Sequence, residues 1–116
     1  MQVTLYHNPR CSKSRQALEI LKNMSVNLTI IEYLKTPPSP LDLKKIILLL
    51  GGEARTLLRI KEDKYSELEL NNPSLTEEQL INAMHNFPIL IERPIVITDK
   101  QAIIARPPEK ILEILK

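Results

Sequence analysis

Val3-Thr4-Leu5-Tyr6-His7-Asn8-Pro9-Arg10-Cys11-Ser12-Lys13-Ser14-Arg15-Gln16-Ala17 is the stretch whose reading decides the fold. Val3 to His7 reads as a short strand. Asn8-Pro9 stops it, because proline has no N–H to continue a ladder. From Ser12 the apolar period becomes helical, with Ala17, Leu21 and Met24 recurring and Leu18 beside them. Cys11 therefore falls where a strand hands over to a helix. Leu28 to Tyr33 is β-branched and apolar and gives a second strand. Strand, helix and strand in succession fit a βαβ unit with a parallel, right-handed pair.

Further along, Thr36-Pro37-Pro38 breaks the chain, and Ser39 reads as an N-cap with Pro40 at the first helical position. That helix is expected to reach Leu50 and stop at Gly51-Gly52. A short helix is expected over Ala54 to Leu58. Lys61 to Pro73 is polar and carries no clear period. Thr76-Glu77-Glu78-Gln79 is a capping box, with Leu75 and Leu80 able to staple it, and its helix is expected to end near Asn86, before Pro88. His85 reads as a helix-surface residue. Ile95 to Thr98 reads as a strand, Asp99-Lys100 as a tight turn, and Gln101 to Ala105 as its hairpin partner. Pro107-Pro108 opens a terminal helix whose Ile111, Leu112 and Leu115 are expected to share a face. The order predicts an α/β chain: a thioredoxin-like fold with a helical insertion between its βαβ and ββα halves, as one domain over 1–116.

Bulk properties narrow the function. The chain has 116 residues, 43% of them hydrophobic, and a net charge of +2. That is room for one core. The basic residues are scattered, which leaves no electrostatic footprint for nucleic acid. No apolar run approaches the roughly 20 residues of a membrane span. Met1 to His7 lacks the regions of an export signal, so the expected compartment is the cytoplasm. One cysteine excludes an internal disulfide, and two histidines are too few for a convincing zinc cluster, so no metal is expected.

A lone cysteine is ordinarily a small buried hydrophobe. The position of Cys11 argues otherwise. At a helix start, the amides of Ser12, Lys13 and Ser14 are donors without helical partners, and the dipole favours negative charge. A thiol there loses its proton more easily. Arg10, Lys13 and Arg15 add cations nearby in sequence. The same donors suit a bound oxyanion, so nucleophile and anion cradle coincide. A phosphatase loop is absent, because the residue six positions after Cys11 is Ala17 rather than arginine. Ser14 stands where a redox Cys-x-x-Cys has its second thiol; it cannot form a disulfide but can hydrogen-bond the thiolate. Arg93 and Arg106 each precede a proline, which biases both backbones to extended conformations. They flank the expected hairpin, so they can converge, and a guanidinium fork matches a tetrahedral oxyanion.

Tyr6 to Arg15 resembles the nucleophile loop of the glutaredoxin-linked arsenate reductase (ArsC) family. Tyr33-Leu34 with Pro37-Pro38, Leu57-Leu58-Arg59, Pro88 to Val96, and Arg106-Pro107 follow in the family's order. The resemblance implies an arsenate reductase in which Cys11 attacks arsenate or a similar oxyanion, and Arg59, Arg93 and Arg106 bind it; Arg55, one turn before Arg59, is an alternative contact. His7 matches a histidine beside the loop, Ser14 a serine that hydrogen-bonds the thiolate, and Pro94 the cis-proline position; Arg15 completes the loop. No tightly bound cofactor is implied. Glutathione enters as co-substrate and glutaredoxin as partner, because no second cysteine resolves the adduct. The loop departs from the family's best-known Cys-Gly-Thr-Ser-Arg at Ser12 and Lys13, and the chain looks like a short branch carrying Cys-Ser-Lys-Ser-Arg. The fold and loop also resemble the Spx regulators, which bind RNA polymerase and carry Cys-x-x-Cys. A thiol- or glutathione-linked reductase with another substrate is the third reading.

Overall fold

The computed structural model describes residues 1–115. These form two compact units, residues 1–36 with 93–115, and residues 37–92.

The first unit contains the whole sheet. Strand β1 (Gln2–His7) lies in its interior, parallel to β2 (Asn27–Glu32) and antiparallel to β3 (Ile95–Ile97). Strand β4 (Ala102–Ile104) pairs antiparallel with β3, giving the order β2-β1-β3-β4. The β3–β4 turn is tied by the Thr98 N–H donating to the Gln101 carbonyl at 2.8 Å. Helix α1 (Ser12–Lys22) crosses over between β1 and β2. It buries Ser14, Ala17 and Leu21, the i, i+3, i+7 face that the apolar spacing marks. Alternation along β1 sends Val3, Leu5 and His7 to one side. Val3 and Leu5 join Ala17, Leu21, Val96, Ala105 and Ile111 in one buried cluster. Each fully buried aliphatic side chain there contributes about 1.5–3 kcal/mol. This is the thioredoxin-like α/β arrangement.

A 3-10 turn (Pro108–Lys110) leads into the last helix of the unit, Ile111–Ile114. Ile111 is fully buried, and Ile114 and Leu115 pack partly against the core. Leu112 departs from its expected place and is 47% exposed. One residue on from Ile111 it points about 100° away, whereas the i+3 and i+4 positions return to the core side.

The second unit is helical. Helix α2 (Pro40–Leu50) starts at a reciprocal box: Ser39 Oγ accepts the Asp42 N–H at 3.1 Å, and Asp42 Oδ2 accepts the Ser39 N–H at 3.4 Å. It ends at Gly51, whose φ of 74° is a left-handed cap. Helices α3 (Ala54–Leu57), α4 (Asp63–Glu67) and α5 (Glu77–Asn86) follow, then a 3-10 turn, Pro88–Leu90; the terminal helix above is α6. Helices α2, α3 and α5 pack on one another. Leu43, Ile46, Leu57, Leu80 and Met84 on these helices are buried. The Glu77 carboxylate accepts the Ala54 N–H at 2.9 Å, joining the start of α3 to the start of α5. His85 is not a free surface residue: its Nδ1 lies 2.9 Å from the Pro38 carbonyl, which ties α5 to the entry of α2. Among the described residues, no helix is long and apolar enough to cross a membrane.

Candidate active site

Asn8 builds the turn that presents the cysteine. Its carbonyl accepts the Cys11 N–H at 3.0 Å, and its Oδ1 accepts the Arg10 N–H at 3.0 Å. Asparagine suits this because its side chain closes a turn onto the backbone two residues on. Arg15 Nη1 reaches back to the Pro9 carbonyl at 3.0 Å and braces the same turn. Arg15 therefore supports the loop, and its charge acts on His7.

Cys11 takes the N-cap position of α1 with φ −94° and ψ 123°. Cys11 is partly buried, and the backbone amides of Ser14 and Lys13 favour its thiolate. Burial pushes the thiol up. The Ser14 amide, the Arg93 charge, the Lys13 amide and an Arg93 hydrogen bond outweigh that, and Cys11 titrates below the ordinary value of 9.0. The first turn carries no acidic side chain to oppose them. A depressed, partly accessible thiol is the reactive kind.

Ser14 divides its work. Its backbone N–H serves the sulfur, while its fully buried hydroxyl lies 2.7 Å from His7 Nδ1 and accepts the Asn8 N–H at 3.0 Å. His7 is itself buried. Burial lowers its pKa from the ordinary 6.5; Glu32 opposes this, and Arg15 and Lys22 reinforce it. The imidazole is thus held toward its neutral form beside the thiol loop.

Arg93 and Arg106 flank the β3–β4 hairpin, and the Arg106 guanidinium meets the backbone of Arg93. Arg106 Nη1 donates to the Arg93 carbonyl at 3.3 Å, and the Ala105 N–H donates to the Pro94 carbonyl at 2.8 Å. The Arg93-Pro94 peptide is cis, and so is Arg106-Pro107, which sequence reading did not single out. Arg93 Nε is buried with no hydrogen-bond partner among the described residues. Such a donor is costly unless an acceptor arrives. The first unit thereby brings together Cys11, His7, Ser14, Arg15, Arg93, Pro94 and Arg106.

Arg59 belongs to the second unit. It pairs with Glu62 at 2.9 Å and Glu92 at 3.8 Å, and donates to the Ile89 carbonyl at 3.3 Å. Arg55 spends its guanidinium on the Leu70 and Asn72 carbonyls, at 2.8 and 2.6 Å, which fastens the segment after α4. Arg55, the alternative to Arg59, is thus held by backbone carbonyls, and Arg59 by two carboxylates and a carbonyl. Sequence reading did not mark Asn8, Glu62 or Glu92. The Asn-Pro turn and the Arg59-to-Glu62 spacing of one helical turn were the signals available. No group of three or more metal-ligating side chains is assembled among the described residues.

Comparisons with known proteins find relatives along nearly the whole chain. The uncharacterized protein YfgD of Escherichia coli is 50% identical over 98% of this chain and 97% of its own length. An arsenate reductase of Neisseria meningitidis is 43% identical over 98% of each chain. The solved structure of an arsenate reductase from Vibrio cholerae is 47% identical and superposes with a TM-score of 0.95, covering 99% of this chain and 98% of that one. The ArsC family model matches residues 6–114, a span that runs from the strand before the Cys11 loop to the last helix, and the chain belongs to the ArsC family.

Proposed function

We propose that this chain is an arsenate reductase that works with glutathione and glutaredoxin. The observation that carries the reading is the pairing of a depressed Cys11 thiol with Arg93, whose buried Nε has no acceptor among the described residues. The relatives named arsenate reductase extend over nearly the whole chain. In this scheme the Cys11 thiolate attacks arsenic(V), an S–As bond forms, and a hydroxide leaves as water after protonation. Arg93 and Arg106 stabilise the oxyanion charge, with Arg59 assigned to the same task by family resemblance. The chain has one cysteine, so no internal thiol resolves the adduct. Glutathione attacks the Cys11 sulfur, a Cys11–glutathione disulfide forms, and the electron pair of the S–As bond leaves on arsenic as arsenite. Glutaredoxin then reduces the mixed disulfide and frees Cys11.

The test is arsenate-dependent NADPH oxidation with glutathione, glutaredoxin and glutathione reductase, comparing the native chain with Cys11→Ser. Turnover that vanishes in the variant, and that stops when either glutathione or glutaredoxin is omitted, is expected. No turnover by the native chain overturns the reading. Turnover without an added thiol overturns the scheme for regeneration.

A further inference from the structure

Arg59 and Arg93 sit in opposite electrostatic settings. Arg93 makes no ion pair with a carboxylate among the described residues and carries an unused Nε. Arg59 has all three nitrogens engaged. Nη2 meets Glu62 Oε2 at 2.9 Å, Nε lies 3.8 Å from Glu92 Oε1, and Nη1 donates to the Ile89 carbonyl at 3.3 Å.

The backbone fixes this arrangement. Leu58 and Ile91 form an antiparallel bridge. The Arg59 N–H donates to the Leu90 carbonyl at 2.8 Å, and the Glu92 N–H to the Leu57 carbonyl at 2.8 Å, so Arg59 and Glu92 are held side by side. The Glu62 N–H donates to the Arg59 carbonyl at 3.2 Å, which returns its side chain to the guanidinium one turn later. The three side chains are 21%, 21% and 31% exposed, so solvent screens them less than an open surface pair. One guanidinium against two carboxylates leaves the cluster net negative.

We propose that Glu62 and Glu92 set the oxyanion affinity at Arg59 by competing with the ligand for its guanidinium. The inference rests on the reading of Arg59 as an oxyanion ligand. An incoming tetrahedral anion displaces the Glu62 arm from Nη2 and is repelled by Glu92 alongside. Arg59 is a guarded cation, whereas Arg93 is presented bare to the thiol. The guard disfavours anions more strongly the more negative charge they carry, because each added charge meets the same two carboxylates.

The test uses inorganic phosphate, which cannot be reduced, and measures its binding to the full chain carrying Cys11→Ser by calorimetry. Glu62→Gln and Glu92→Gln keep the shape of each side chain and remove its charge. Both are expected to tighten phosphate binding, roughly three- to tenfold, with the larger effect at the closer Glu62. Arg59→Lys is expected to weaken it. Circular dichroism of each variant reports that the fold is kept. Unchanged or weaker binding in both glutamine variants, with Arg59→Lys impaired, overturns the proposal and leaves Arg59 as a ligand that the carboxylates only orient. Undiminished binding in Arg59→Lys overturns the assignment of Arg59 itself, and the proposal with it.

Discussion

His7 Nδ1 and Ser14 Oγ stand 2.7 Å apart and join the last residue of β1 to the first turn of α1. The same hydroxyl accepts the Asn8 N–H at 3.0 Å. Strand, turn and helix are thus closed from the inside at one oxygen, directly behind the loop that presents Cys11. The Ser14 amide meanwhile helps to lower the Cys11 pKa. One residue therefore couples the stability of the loop to the chemistry of the thiol through two different atoms.

Ser14→Ala separates the two roles. It leaves a buried imidazole nitrogen and the Asn8 N–H without their partner, which costs about 1–3 kcal/mol. The midpoint of urea unfolding is expected to fall with its slope unchanged. The backbone N–H survives the substitution, so ultraviolet titration of the thiolate is expected to find Cys11 still below 9.0. A thiol returned to its ordinary value would assign the effect to the hydroxyl instead.

The pH dependence of stability carries the signature of His7. Its folded-state pKa lies below the ordinary 6.5, chiefly through burial, with Glu32 opposing and Arg15 and Lys22 assisting. As pH falls past 6.5 the unfolded chain takes up a proton that the folded chain refuses. Stability present above 6.5 is therefore lost as pH falls toward the folded value, and the loss levels off below it. His7→Gln is expected to lose this slope, so the stability difference between the two proteins varies with pH below 6.5. Urea unfolding at a series of pH values on either side of 6.5 measures it, and parallel curves for the two proteins would deny His7 the role.

Local chemistry made much of this fold legible. Ser39 before Pro40, and Thr76 with Gln79, announce helix starts because each signal lies within three residues of sequence. The strand-to-helix change of period placed Cys11 at an N-cap without any tertiary information. The segment after Ile60 resisted reading because distant groups hold it: Arg55 fastens the Leu70 and Asn72 carbonyls, and Glu69 adopts a φ of 54°. His85 gave no sign of its bond to the Pro38 carbonyl, 47 residues away. At the site, the prolines after Arg93 and Arg106 bias both backbones to extended conformations, and the family resemblance is what singles the two arginines out. The guarding of Arg59 was not legible, because Glu92 reaches it across a backbone bridge rather than along one helix.

The cap of α5 offers a test remote from the thiol. Thr76 Oγ1 accepts the Gln79 N–H at 3.2 Å, and Gln79 Oε1 accepts the Thr76 N–H at 2.8 Å. Thr76→Ala removes one arm of this exchange and is expected to cost about 1 kcal/mol, with Thr76→Ser recovering most of it. Chemical denaturation of the three proteins reads the difference. Equal stability of all three would mean that packing of Leu80, Ile81 and Met84 alone fixes where α5 begins.

Arg93 sets function against stability. It helps to lower the Cys11 pKa, yet keeps a buried Nε without a hydrogen-bond partner among the described residues. Arg93→Gln removes the charge and the fork, so the thiol is expected to rise toward 9.0 and kcat/KM for arsenate to fall by about 10²–10³. Arg93→Lys keeps a charge without the planar fork and is expected to hold the thiol lower than Gln does while binding the oxyanion poorly. Because the glutamine variant also discards an unsatisfied buried donor, its thermal midpoint is expected not to fall. Thermal unfolding measured beside turnover decides the matter. Loss of activity with stability intact identifies Arg93 as a group held ready for a ligand. Loss of both would make it a strut of the hairpin.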